Sequence, residues 1–522
     1  MIDDLVRQAE GKLRSGNLQG AYDDARRVLG MSRTNGRAHY LLSCMATIKG
    51  AHSDALKLCE IALNLDGDTA EYLGQMAVCL MRLGRRAEAH ACAIKTMAAD
   101  DVPGIVLEQL SFIFHAVADY NRVLEAQKRL SGVKPDNAVV LANIGATYFL
   151  CGQPDAARKA LEEAIRLDPK NVRAYGSLCG LRTARAGDNY IDAIKGLIGE
   201  EKDLLDRVKL HYALASEYDD LGMTEEAFAS LKKGKDTLIS KTGYTVKQDI
   251  DMFAAIDRYI DASIPAHPDS SSAQPVFVVG MPRSGTTVAE RILTNCNGVV
   301  SIGECIEFVD LVRRYGGGGT SRFTDARLID SSWRQLPLRT LGEAYVAFGN
   351  SISSGANRFL DKLPLNLLFV PLIVRALPHA KIICLQRHPL DTVLGNYRQL
   401  LEFTTGTFDY TSSLAATATY VAESVKLSEN LARHYPQQFH VLKYEDLVAD
   451  PAVKGREIVQ FCGLEWHDDV VKIENNASPV GSASAAQVRV PIHTRFVGRW
   501  KKYQAYLGEA IGVFDDYRIR WD

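Results

Sequence analysis

The chain has 522 residues, room for two or three domains with cores of their own, and its 24% charged and 47% hydrophobic content is ordinary for a globular protein. With 61 basic and 63 acidic side chains the formal net charge is −2, which excludes a global pull toward nucleic acid or an anionic membrane but not a local basic pocket. No run approaches the roughly 18 apolar residues that span a bilayer, and the start, "MIDDLVRQAEGKL", has early acids and no apolar core, so neither a membrane span nor a secretory leader is expected. The 10 cysteines are scattered without a C-x-x-C pair, a pattern that predicts buried free thiols in a reducing, cytosolic compartment.

From the first residues onward the chain repeats itself. Gly16, Gly50, Gly84 and Gly152 fall on a 34-residue period, with Ala118 at the skipped step. Five residues after each lies Ala21, Ala55, Ala89, Val123 or Ala157, and Ser43, Ala77, Ser111 and Gly145 precede the later turns by seven. Close-packed helical hairpins need small side chains at the crossing and a turn former between the helices. The clearest unit, "AVVLANIGATYFLCGQPDAARKALEEAIRLDPKN", resembles a tetratricopeptide (TPR) repeat, and the resemblance implies an α-solenoid whose groove either binds peptides or packs as a structural support against the attached domain. The register slips after Asn171 and resumes at Gly222 and Ala227. A last helix, "VKQDIDMFAAIDRYIDASI", precedes the Pro/Ser-rich "PAHPDSSSAQP". The expected organisation is a repeat array over residues 1–261, a linker over 262–274 and a second domain over 275–522.

The second domain reads as α/β with a parallel sheet. "VFVVG" is a buried strand, "MPRSGTT" a tight turn and "TTVAERILTN" a helix, an arrangement that points backbone N–H groups and the Thr286 and Thr287 hydroxyls at an anion. Arg283 adds a permanent forked cation. The lysine of the nucleotide-hydrolase pattern G-x-x-x-x-G-K-[ST] is missing. Further strands are expected at "VVSIG" before Glu304, at "KIICLQ" before Arg387 and at "FHVLKYEDL" around Tyr444. Ligands of such a sheet lie beyond the strand C-termini.

"FVVGMPRSGTT", "SIGE", "DKLPLNLLFV", "KIICLQRHPLDTVLGNYRQ", "VLKYEDLVADP", "FCGLEW" and "SASAAQVRVPIHTRFVGRW" occur in the order seen in sulfotransferases that use 3′-phosphoadenosine 5′-phosphosulfate (PAPS). Over about residues 275–503 the chain resembles TPR-containing bacterial sulfotransferases, which are similar to protein-tyrosine sulfotransferases. The resemblance implies a P-loop-like fold, PAPS as co-substrate, adenosine 3′,5′-bisphosphate as product and no metal. It places the 5′-phosphosulfate on Arg283, Ser284, Gly285, Thr286 and Thr287, and the 3′-phosphate on Arg387. The serine expected eight residues after Arg387 is Gly395 here, so Asn396 or a backbone N–H is the expected substitute. Glu304 is implied as general base, with Glu307 as the alternative because the family's paired "GEE" reads Glu304-Cys305 here. Lys362 would neutralise the leaving phosphate together with Arg283, and Ser484 would bond near the bridging oxygen. Tyr444 would lie near the adenine, while Gln487, Val488 and Arg499 would fold over the nucleotide.

"RRYGGGGTSRF", residues 313–323, is expected to be either an acceptor-side loop or a plain surface loop. The acceptor is a hydroxyl on a peptide tyrosine, a sugar or a small metabolite, and a homodimer is compatible with the sequence. Two other readings stand beside this one. A P-loop kinase or hydrolase is disfavoured by the missing Lys-Ser/Thr and by Arg387. A non-catalytic TPR scaffold with a degenerate transferase domain finds support only in Gly395.

Overall fold

The computed structural model describes residues 1–239, 243–260, 274–317, 322–353, 356, 358–401, 406–482, 484–485 and 487–522. They form two compact units, Met1–Val140 and Leu141–Asp522.

The first unit consists of antiparallel helix pairs: Ile2–Arg14 with Leu18–Met31, Gly36–Ile48 with His52–Asp66, Ala70–Arg82 with Arg86–Met97, and Gly104–Ala116 with Tyr120–Val133. The periodic turn residues do the work their spacing implies. Gly16, Gly50 and Gly84 take φ of +80°, +79° and +71°, and Ala118 takes +58° in the same left-handed region, where a Cβ is costly. The offset positions are equally regular, since Ala21, Ala55 and Ala89 are fully buried and Val123 nearly so. Ser43 donates its hydroxyl to the Ala55 carbonyl at 2.7 Å, a bond that only a small side chain at a close helix crossing can make.

The second unit opens with more of the same. The helix Ala138–Leu150 pairs with Pro154–Leu167 around Gly152, at φ +74°. A Cβ on Gly145 would lie 2.7 Å from Leu161 Cγ, so glycine permits that contact. The slip after Asn171 consists of two ten-residue helices, Val172–Leu181 and Ile191–Glu200, with an Arg185–Asp188 bridge between them. The hairpin Leu204–Asp220 and Thr224–Ile239 then resumes the pattern at Gly222, φ +78°. Helix Val246–Ile260 follows, and most of the expected linker, residues 262–273, lies outside the described residues.

The rest of this unit is built on five parallel strands in the order β2-β3-β1-β4-β5: β1 Val276–Gly280, β2 Val299–Ser301, β3 Arg358–Asp361, β4 Lys381–Gln386 and β5 Phe439–Lys443. β3 is not among the expected strands, and β5 stops at Lys443, short of the expected end at Tyr444-Glu445-Asp446, because helix Tyr444–Ala449 begins there. One face of β1 packs Val276 and Val278 against Ala289, Ile292 and Leu293 of helix Thr286–Thr294. On the other face Phe277 stacks on Tyr345 at 5.6 Å within a cluster that includes Phe308 and Phe359. Because all five strands run the same way, their C-terminal ends share one edge. Arg283, Glu304, Lys362, Arg387 and Tyr444 each follow one of those ends within three residues. No helix among the described residues is long and apolar enough to cross a membrane. Among the cysteines, all free, seven are buried and three half-buried.

Candidate active site at the strand ends

The turn after β1 is shaped by close approaches. A Cβ on Gly280 would sit 2.4 Å from the Leu385 carbonyl, and one on Gly285 would sit 2.3 Å from Tyr444 Cδ2. Between them Arg283 is held at φ +68°, a left-handed conformation for a non-glycine residue. Helix Thr286–Thr294 starts directly afterwards, so its first N–H groups face the turn. Ser284, Thr286 and Thr287 are buried at this spot, and the Ser284 hydroxyl has no hydrogen-bond partner.

A C-terminal segment covers the turn. Arg283 Nη1 donates to Ser484 Oγ at 2.8 Å, and Thr287 Oγ1 lies 3.2 Å from Ser482 Oγ. The segment is anchored to the helix by Arg291, which donates to Asn476 Oδ1 at 2.6 Å and to the Ser478 carbonyl at 2.5 Å. It is anchored to the repeats as well. Val480 N donates to the Leu150 carbonyl at 2.9 Å, and Arg489 packs so tightly on Gly152 that a Cβ there would lie 2.7 Å from its Cζ. The glycine periodicity therefore serves the site at this position too.

Arg387 donates Nη1 to the Arg283 carbonyl at 3.3 Å and Nη2 to the Phe496 carbonyl, stacks 4.8 Å over the Tyr444 ring and lies 3.3 Å from Asp391. Its buried Nε has no partner. Arg283, Gly285, Thr287, Arg387, Tyr444, Ser484, Gln487 and Val488 line one cavity, with about 510 Å³ of empty space including its mouth. Burial, followed by the positive charges of Arg387 and Arg499, pushes the Arg283 guanidinium down to about 10. Cations gathered this closely have a standing need for an anion.

Gly395 has a local explanation. A Cβ at this position would lie 2.9 Å from Arg283 Cβ and 3.5 Å from its Cγ, so the Arg283 stem occupies the space of the expected serine. The expected substitute, Asn396, is not available to a ligand. It is fully buried, donating to the Pro282 and Thr392 carbonyls at 2.7 and 2.9 Å and accepting from the Tyr410 hydroxyl at 2.8 Å. Asn396 instead ties the Arg283 turn to helix Pro389–Tyr397.

At the β3 end Lys362, 1% exposed, forms an ion pair with Glu304 and lies 3.7 Å from Glu290. Its backbone N–H donates to the Gly303 carbonyl at 2.9 Å, which fixes the Glu304 turn beside it. Glu304 is 36% exposed, whereas Glu307, 4% exposed, is buried in the first turn of helix Glu307–Gly316. Glu290 went unnoticed in the sequence. It accepts from Ser301 Oγ at 2.5 Å, and its signal is the charged Glu290-Arg291 pair set among the apolar residues of "VAERIL".

Arg499 lies apart from the other candidates in its bonding. It pairs with Asp219 of helix Leu204–Asp220, which also accepts from Arg398 at 2.7 Å, from Lys502 at 2.9 Å and from Tyr503. Burial would raise this carboxyl, but the Arg398, Tyr503 and Arg499 contacts hold it well below the usual carboxylate range. A wide cleft with about 1960 Å³ of empty space, mouth included, runs from Gly176, Ser216 and Asp219 of the repeats to Arg283, Arg387 and Arg499. Of the glycine run, residues 318–321 lie outside the described residues.

Comparison with known proteins gives the domain a family. Residues 275–468 match the sulfotransferase family, and residues 138–171 and 208–236 each match a tetratricopeptide repeat. The chain thus carries a sulfotransferase-family domain together with TPR repeats. A protein of Aquifex aeolicus (strain VF5), described as uncharacterized, is 26% identical over 415 residues. The match covers 76% of this chain and 53% of the relative, so the chain spans about half the length of the curated relative it matches. Among solved structures, the sulfotransferase domain of the Synechococcus PCC 7002 olefin synthase is 17% identical, covering 48% of this chain and 97% of that one at a TM-score of 0.33. The TPR protein YrrB, described as having an unusual peptide-binding site, is 16% identical, covering 33% of this chain and 88% of its own at a TM-score of 0.27.

Proposed function

We propose that this chain is a PAPS-dependent sulfotransferase that moves a sulfuryl group to a hydroxyl acceptor by in-line displacement, with residues 275–522 as the catalytic domain and residues 1–261 as a repeat array. The observation that carries the reading is the cationic turn. Thr286 stands where the hydrolase pattern has its lysine, and Arg283, three residues before it, lies against Arg387 and Ser484 and is pushed down to about 10 by burial and by neighbouring guanidinium groups. A phosphosulfate and a 3′-phosphate fit this donor set, since the unpartnered Ser284 hydroxyl and Arg387 Nε await acceptor oxygens.

When bound, PAPS supplies the activated sulfuryl group. Arg283, Ser284, Gly285, Thr286 and Thr287 hold its 5′ end, and Arg387 reads the 3′-phosphate. Tyr444, Gln487 and Val488 line the same cavity beside the base. Glu304 takes the proton of the acceptor hydroxyl, a role worth about 10²–10⁴ in rate. Lys362 aims Glu304 and, with Arg283, offsets charge on the leaving phosphate, while Ser484 bonds near the bridging oxygen. Arg499 joins the nucleotide only by sharing itself between the ligand and Asp219. The acceptor is a peptide tyrosine, a sugar or a small metabolite, and the cleft toward the repeats is its route.

The test is a thermal shift. Adenosine 3′,5′-bisphosphate at about 100 times its Kd should add about 2.7 kcal/mol of stability, while ATP adds none. Arg387→Ala should abolish the shift, and Glu304→Gln should keep the shift and lose turnover. A shift with ATP alone would point instead to the kinase or hydrolase reading.

A further inference from the structure

The cavity that contains Arg283 and Arg387 has a second chemical side. Besides the phosphate-binding groups it is lined by Val288, Val448, Ile473, Val488 and Ile492, an apolar wall of the kind that takes the faces of a flat ring. A purine also has a polar edge, and an apolar wall cannot read it. His493 lies in the same lining, and both of its ring nitrogens are buried without a hydrogen-bond partner.

The position of His493 is fixed by groups already assigned to the phosphate side. Its ring lies 5.2 Å from Phe496, and the Phe496 carbonyl accepts from Arg387. The guanidinium that faces the 3′-phosphate therefore also grips the turn carrying the imidazole. A neutral imidazole has one N–H donor and one lone pair, which suits an adenine edge with its amino donor and ring-nitrogen acceptors. Burying both nitrogens unpaired is costly, and a cost that a bound base removes becomes a preference for that base.

We infer that His493 is a specificity-determining residue of the donor site, reading the polar edge of the purine base. The inference rests on the donor reading given above, and the experiment separates the two. The full chain is titrated by calorimetry with adenosine, guanosine and uridine 3′,5′-bisphosphates, for the wild type and for His493→Phe and His493→Gln. The phenyl ring keeps the bulk and removes both nitrogens, whereas the amide keeps one donor and one acceptor. The expected result is a loss of about tenfold in adenosine bisphosphate affinity for His493→Phe, with little change for the other two nucleotides and partial rescue in His493→Gln. The ligand-free melting temperature of His493→Phe should be no lower than that of wild type, because no hydrogen bond is lost. An unchanged ratio between the three nucleotides in His493→Phe would overturn the inference while leaving the donor reading intact. Failure of the wild type to bind any of the three would overturn the donor reading itself, and this inference with it.

Discussion

Gly395→Ser is the sharpest perturbation, because it restores the residue that the family resemblance expects and the structure forbids. The new Cβ would lie 2.9 Å from Arg283 Cβ, and neither atom is the free end of a flexible chain. The turn cannot simply retreat, because Asn396 Nδ2 holds the Pro282 carbonyl at 2.7 Å, one residue from Arg283. Overpacking of this kind costs about 1–3 kcal/mol. Replacing glycine by serine within helix Pro389–Tyr397 returns about 0.5 kcal/mol of helix propensity, so a net loss of about 0.5–2.5 kcal/mol remains. The strain falls on Arg283, and the donor should lose about tenfold in affinity, equivalent to about 1.4 kcal/mol. Calorimetric titration with adenosine 3′,5′-bisphosphate measures this directly, with Gly395→Ala as a companion that adds the Cβ without a hydroxyl. Both variants should weaken binding to a similar degree. Tighter binding by Gly395→Ser would refute the reasoning, because the serine hydroxyl would then be reaching a phosphate that Arg283 was thought to screen.

Ala118→Gly should stabilise the first unit by about 0.5–1 kcal/mol in denaturant unfolding, since Ala118 holds φ +58° where the other turns have glycine. Lys235→Met should be more stable than wild type at pH 7, with the advantage fading toward pH 10. Lys235 is fully buried, donates to Thr411 Oγ1 at 2.8 Å, and burial lowers it from 10.5 to about 7. Between those values the unfolded chain binds a proton that the folded chain does not, so wild-type stability rises with pH, and parallel melts at several pH values follow the difference.

The repeats were legible because their physics is local. A left-handed turn and a close helix crossing each fix one residue type, so Gly16, Gly50, Gly84 and Gly152 betray the period, and even Ala118 fits it at the cost of strain. Four strands could be read from short apolar runs that end in polar residues. β3 could not, because "RFLD" is only four residues long and carries a charge at each end. What escaped the sequence is mainly long-range pairing. Asp219 meets Arg499 280 residues away, Glu290 meets Lys362 across two strands, and no spacing along the chain encodes either contact. Gly395 is the instructive case, since it departs from the family pattern as a lost function would, and the Arg283 side-chain stem, which leaves no room for a Cβ there, gives it a packing reason.

Transfer itself tests the central claim most directly. Wild-type protein incubated with sulfur-labelled PAPS and fractionated hydroxyl-bearing acceptors should place the label in one acceptor class, and Glu304→Gln should place it in none while still binding adenosine 3′,5′-bisphosphate. Label transfer from γ-phosphate-labelled ATP instead, or undiminished sulfuryl transfer by Glu304→Gln, would contradict the account.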